Sequence, residues 1–196
     1  MKKGIVLWSM LLLLCLCACT KQETVQDTES TLYINQDGSI ESLVVEDFPE
    51  EQYAAEELEP TLKEIVDVYN QDHTGGSVRL LSCEVQSGQA FVRLHYKTGT
   101  DYSVFNRTAL FYGSVSDALS SGYGKKATLK NAYGSNTLSG DAIADLSSYR
   151  MLVVNEPIRI RTYSSILYYS ANLELIDDKT AHVSTETGGE AILIIK

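Results

Sequence analysis

The sequence predicts an α+β fold: a mainly antiparallel sheet, one long acidic helix near the N-terminus and a strand-rich C-terminal half. Three observations carry this expectation. Residues 31–48, TLYINQDGSIESLVVEDF, have the alternation and central turn of a hairpin. Residues 48–73 carry apolar residues at helical spacing. From Met151 onward, MLVVN, PIRIRTY, SILYYSANLELI, TAHVST and AILIIK follow one another as strand candidates, with Asp177-Asp178 and Gly188-Gly189 as turns.

In the first hairpin, Asn35-Gln36-Asp37-Gly38 suits a type I turn with Gly38 in the left-handed conformation, a register that pairs Ile34 with Ile40. A calcium loop would need an acid in place of Tyr33 and a glutamate in place of Val44, so N-x-D-G here is a turn. In the helix, Pro49 suits a first turn and Glu50 and Glu51 complement the N-terminal dipole. Leu62, Ile65, Val66 and Tyr69 form the buried stripe, Pro60 kinks the helix or starts a second one, and Gly75-Gly76 ends it. Nine acids fall between Glu46 and Asp67 against the single Lys63, as on a solvated helix face.

Residues 77–85 and 89–97 form a second hairpin about Ser87-Gly88. A two-residue turn pairs Cys83 with Val92 and Leu81 with Leu94; a bulged turn pairs Cys83 with Phe91 and His95 with Arg79. Neither register couples Cys83 to His95, which speaks against a cysteine hydrolase. A short helix over 100–107, a strand over 109–113 and a short helix over 114–122 follow. The segment 123–141, YGKKATLKNAYGSNTLSGD, is long, rich in Gly and Ser and locally basic, and reads as a surface excursion with short strands. It is also the place where a binding surface is expected. The candidate residues are Tyr123, Lys125, Lys126, Lys130 and Tyr133, with Tyr168 and Tyr169 from the tyrosine-rich C-terminal strands.

The N-terminal residues speak of address. Lys2 and Lys3 precede an uncharged run from Ile5 to Ala18. As a helix this run spans roughly 21 Å, short of a hydrocarbon core of about 30 Å, so an export signal fits better than a permanent span. Leu16-Cys17-Ala18-Cys19 resembles the lipobox of bacterial lipoproteins, although Cys17 stands where Ala or Ser is usual. That resemblance implies cleavage before Cys19 and diacylglycerol on its thiol. The expected organisation is a signal peptide over 1–18, a lipidated cysteine and polar tether over 19–31, and a single extracytoplasmic domain over 32–196. The tether TKQETVQDTEST gives a reach of about 20 Å, which holds the domain close to the membrane. The domain is large enough to bury about 70% of its unfolded surface.

Loss of residues 1–18 removes Lys2, Lys3 and no acid, leaving 14 basic against 26 acidic residues and moving the formal charge from −10 to −12. So acidic a chain is unsuited to nucleic acid, whose phosphates need Lys and Arg, and it lacks a polybasic patch for anionic lipid. Cys83 is the only other cysteine left, which precludes an internal disulfide. His73, His95 and His182 lie in separate elements with no HExxH, so neither a metal nor a cofactor is expected. No GxSxG or SxxK motif occurs, and Ser121-Gly122-Tyr123-Gly124-Lys125-Lys126 lacks the first glycine and the magnesium-binding hydroxyl of a P-loop.

Lipobox, polar tether, strand–NQDG–strand and acidic helix, with HYKTGTDYSVFN (95–106), ALFYGSVSDAL (109–119) and SILYYSANLEL (165–175), are similar to a group of uncharacterised small lipoproteins of Gram-positive, clostridial-type bacteria. The resemblance implies a protein anchored to the cell membrane on its extracytoplasmic face, and no catalytic residue. The functional expectation is a non-catalytic binding or accessory protein whose partner is an envelope protein or small ligand. The alternative is an envelope hydrolase using carboxylate and tyrosine side chains.

Overall fold

The computed structural model describes residues 28–49, 54–73, 76–184 and 189–196. Cys19, the lipobox and most of the tether lie outside them. In chain order the elements are β1 (Thr31–Ile34), β2 (Ile40–Asp47), α1 (Ala55–Asp72), β3 (Val78–Gln86), β4 (Gln89–Tyr96), α2 (Gly99–Asn106), β5 (Leu110–Ser114) and α3 (Val115–Ser120). There follow β6 (Thr128–Asn131), β7 (Thr137–Ser139), α4 (Asp141–Ala144), β8 (Arg150–Val154), β9 (Arg159–Thr162), β10 (Ile166–Ser170), β11 (Leu173–Leu175), β12 (Thr180–Val183) and β13 (Ala191–Ile195).

This corrects the expected fold class. The described chain is strand-rich, 42% strand and 23% helix, and its strands form two sheets rather than one. The helices are short and the first begins at Ala55, so no long helix starts at Phe48. The reason is local. Proline disfavours helical backbone at the residue before it, and the Phe48 amide instead donates to the Gly88 carbonyl at 2.7 Å, prolonging the sheet contact of β2. Ala54 is still extended, at φ −85° and ψ 120°. Residues 50–53, including the acids expected in the first helical turn, lie outside the described residues. Pro60 does not divide the helix either, because α1 runs through it.

The first sheet has seven strands in the order β11-β12-β9-β1-β2-β4-β3, and the second has six in the order β5-β8-β13-β10-β6-β7. Every pairing given is antiparallel except β1 with β9. The main core lies between the sheets. Leu32, Ile40, Leu94 and Ile160 from the first meet Leu110, Leu152, Leu193 and Ile195 from the second. The opposite face of the second sheet is covered as well, by α3 and α4: Leu129, Met151, Val153, Ile192 and Ile194 of the sheet pack with Val115, Ala118 and Ile143. β8 and β13 are thus buried on both faces, which accounts for their unbroken apolar runs MLVV and AILII.

The outer face of the first sheet carries polar and charged side chains alternating with the core residues. Its rows place Arg79 beside His95, Glu41 and Tyr33, and Arg93 beside Leu43. Arg159 and Arg161 continue the face on β9. Four of the six arginines therefore lie on one surface, yet acids are interleaved with them: Arg93 is 3.7 Å from Glu41 and Arg159 is 2.9 Å from Glu29. The face is laced by cross-strand charge pairs rather than uniformly basic.

Both hairpins follow from their turns. Ile34 pairs with Ile40, and Gly38 is left-handed at φ 92°. In the second hairpin Ser87 and Gly88 both have positive φ, as a two-residue turn of type I′ requires. Cys83 pairs with Val92, then the register shifts at Leu81 and Arg79 pairs with His95. The two alternatives considered from sequence thus each hold over part of the hairpin, with a bulge between them.

Candidate functional site

A cleft with a volume of about 570 Å³ opens at the loop between α3 and β6. Its lining includes Gly122, Lys125 and Lys126 from that loop, Thr128 at the start of β6, Ser170 and Ile192 from β10 and β13, and Glu190 just before β13. This is within the size range of small-ligand sites, roughly 300–1,000 Å³.

The loop is shaped by backbone chemistry. Gly122, left-handed at φ 98°, ends α3: its amide donates to Leu119 and that of Tyr123 to Ala118. This double return of amides onto the last helical turn is a Schellman cap, and it directs the residue after the glycine inward. Tyr123 accordingly packs into the core on the covered face of the second sheet, its ring 5.2 Å from Phe111. The Ala127 amide then donates to the Gly124 carbonyl at 3.0 Å, closing a turn with Lys125 and Lys126 as its two central residues. Gly124 lies against Met151, where an added Cβ would come within 3.3 Å of the methyl carbon. Both lysines are exposed at the turn tip.

The far side of the cleft is held by a side-chain network. The Ser170 hydroxyl donates to Asn172 Oδ1 at 2.6 Å and accepts from the Ile192 amide at 2.8 Å. Asn172 Nδ2 donates to the Gly189 carbonyl at 3.2 Å. Glu190 therefore sits between two tied backbone positions, Gly189 and Ile192. Among the described residues, Lys125, Lys126 and Glu190 form no ion pair or hydrogen bond with the protein.

The other expected site residues are dispersed. Tyr133 and Tyr168 line a smaller cavity of about 240 Å³ with Asn131, Leu146, Tyr149 and Leu167. Lys130 and Tyr169 are register partners, with the ammonium 5.9 Å from the ring centre. Tyr169 packs toward the inter-sheet core and Tyr168 toward the opposite face, so adjacent residues serve different surfaces. Of the residues expected at a binding surface, Lys125 and Lys126 line this cleft, together with Thr128, Ser170, Glu190 and Ile192, which the sequence did not single out. A polar Ser170 ending the apolar run of β10 was a visible signal; nothing local marked Glu190.

Elsewhere the titratable groups are structural. Burial, with Glu59 and Glu84 nearby, pushes the half-buried Cys83 thiol above its ordinary range, away from thiolate reactivity. Burial and the bond donated by Tyr102 to Glu156 at 2.6 Å push that phenol far up. Bonds from Ser39 to the Asp37 carboxylate hold it below its usual range. Among the described residues no cluster of three potential metal ligands occurs, and no helix is long and apolar enough to cross a membrane.

No protein-family model matches the chain, and no curated protein or solved structure is significantly similar to it.

Proposed function

We propose that this chain is a membrane-anchored extracytoplasmic lipoprotein that binds an envelope partner or ligand through an anionic group held at the Lys125–Lys126 turn. The observation that carries the binding role is the cleft itself: two ammonium groups at the tip of a defined turn, lining a volume of about 570 Å³. The lipobox-like Leu16-Cys17-Ala18-Cys19 and the short polar tether support the anchor. A glycoside hydrolase of the usual kind would place two carboxylates across a cleft. The described lining supplies one, Glu190, and the carboxylates whose proton affinity is displaced, Asp37 and Asp177, are lowered rather than raised.

In-cell crosslinking of the anchored protein, read by mass spectrometry, tests the role. One crosslinked species should disappear in the Lys125→Ala/Lys126→Ala variant and persist in Lys130→Ala, whose side chain belongs to the other face. Equal capture by all three proteins would overturn the assignment of this surface. The anchor is tested separately: Cys19→Ser should abolish acyl labelling and move the protein out of the membrane fraction, and persistent labelling would refute it.

A further inference from the structure

We infer that the cleft takes a ligand bearing both a carboxylate and an ammonium group, a short peptide with free ends. This rests on the reading of the cleft as the binding site and adds the ligand's chemistry to it.

The cleft is lined by charges of both signs. Lys125 and Lys126 stand on the turn leading into β6, and Glu190 stands immediately before β13. Between them runs β10, which pairs with β6 on one side and β13 on the other and contributes Ser170 to the floor. Two interstrand spacings put the flanking backbones about 10 Å apart. Across that gap the opposite charges do not neutralise each other: among the described residues none of the three is ion-paired or hydrogen-bonded to the protein.

A simple anion would be served by the lysines and repelled by Glu190. A simple amine would meet the reverse. A zwitterion satisfies both walls, its carboxylate at the lysine turn and its ammonium at Glu190. Length selects further. A free amino acid carries both charged groups on one carbon and cannot reach both walls. An extended dipeptide spans about 7 Å, at 3.3–3.6 Å per residue, and the lysine and glutamate side chains close the remainder. The tied backbone at Gly189 and Ile192 fixes the point from which the Glu190 side chain leaves the chain, which lowers the cost of ordering that wall on binding.

The test is an NMR titration of the full-length chain in detergent micelles with four probes: L-alanyl-L-alanine, its N-acetyl derivative, its amide, and inorganic phosphate. The free dipeptide should bind at least tenfold more tightly than any other probe and shift the amides of Gly122–Thr128 and Gly189–Ile192. Glu190→Gln should reduce that preference so that free and N-acetylated dipeptides bind alike, and Lys125→Ala/Lys126→Ala should abolish binding of both. All of these positions are exposed, and an unchanged amide spectrum elsewhere checks the fold of each variant. Equal binding of phosphate or the N-acetyl dipeptide, with no effect of Glu190→Gln, would overturn the zwitterion while leaving the lysine turn as an anion site. Absence of binding by all four probes would overturn the peptide class, and the crosslinking result would then judge the cleft independently.

Discussion

Asn70 shows how one side chain joins a helix to a sheet. From the last part of α1, its Nδ2 donates to the Val78 carbonyl at 2.8 Å and its Oδ1 accepts from the Val78 amide at 3.1 Å. It thereby satisfies both backbone groups at the first residue of edge strand β3. Asn70→Ala leaves that pair without a protein partner and should cost about 1–3 kcal/mol, read as a lower urea midpoint at constant slope. An unchanged midpoint would mean that water replaces the amide fully. Tyrosines give a second residue-scale prediction. Burial pushes Tyr112 up to about 12 and raises Tyr96 and Tyr102 in the same direction. A phenol whose pKa is raised on folding contributes stability that is complete below its unfolded value of about 10 and is lost as pH rises through the folded value. Stability should therefore decline between pH 10 and 12, and Tyr112→Phe should flatten part of that decline. A decline of the same steepness in the variant would assign it elsewhere.

At the scale of elements, the cleft depends on how α3 ends. Gly122 occupies the left-handed cap position, and an added Cβ there would meet nothing within 4 Å. Gly122→Ala should then cost only the backbone strain, about 1–2 kcal/mol, without a clash. Its measurable consequence is a lower melting temperature together with weaker ligand binding, because the same cap sets the direction of the Lys125–Lys126 turn. Loss of stability with binding intact would show that the turn is fixed by Ala127 and Gly124 alone. The Gly-x-Gly-Lys-Lys order made this loop conspicuous in the sequence, and local rules explain its shape. They also explain the turns at Asn35–Gly38 and Ser87-Gly88, and the register of the first hairpin follows from residue type. The bulge at Leu81 was not legible, because a register shift depends on what packs on each face of the strand.

For the whole molecule, the decisive element is β13. Leu193 faces the inter-sheet core and Ile194 faces the helices on the other side, both with no exposed surface. Leu193→Ala and Ile194→Ala should each destabilise by about 2–5 kcal/mol, whereas Leu81→Ala, 44% exposed, should fall well below that range. Chemical denaturation of the three variants checks this, and a mild effect at either β13 position would deny that both faces are packed. The chain also moves repeatedly between the sheets in its C-terminal part: β8 lies in the second, β9 in the first, β10 in the second, β11 and β12 in the first, and β13 in the second. Neither sheet can be removed as a separate unit.

That interleaving marks the boundary of what the sequence determines by itself. Turn residues, strand alternation and helix caps act over a few neighbours, so the two N-terminal hairpins and the short helices can be read directly, whereas 123–141 reads only as a basic surface excursion, and its Lys125–Lys126 turn comes from the structure. The expected long helix failed at a local conflict, because acidic and apolar spacing suggested helix where Pro49 and the pairing of Phe48 with Gly88 hold the chain extended. Assignment of strands to sheets is not local. β8 and β13 are apolar on both faces, and the same pattern would suit either sheet or a buried helix. Only packing decides that they are interior strands of the second sheet, and only that packing brings Ser170 and Glu190 beside the lysine turn. The sequence thus determined which charged residues the turn presents, while tertiary structure decided which carboxylate faces them.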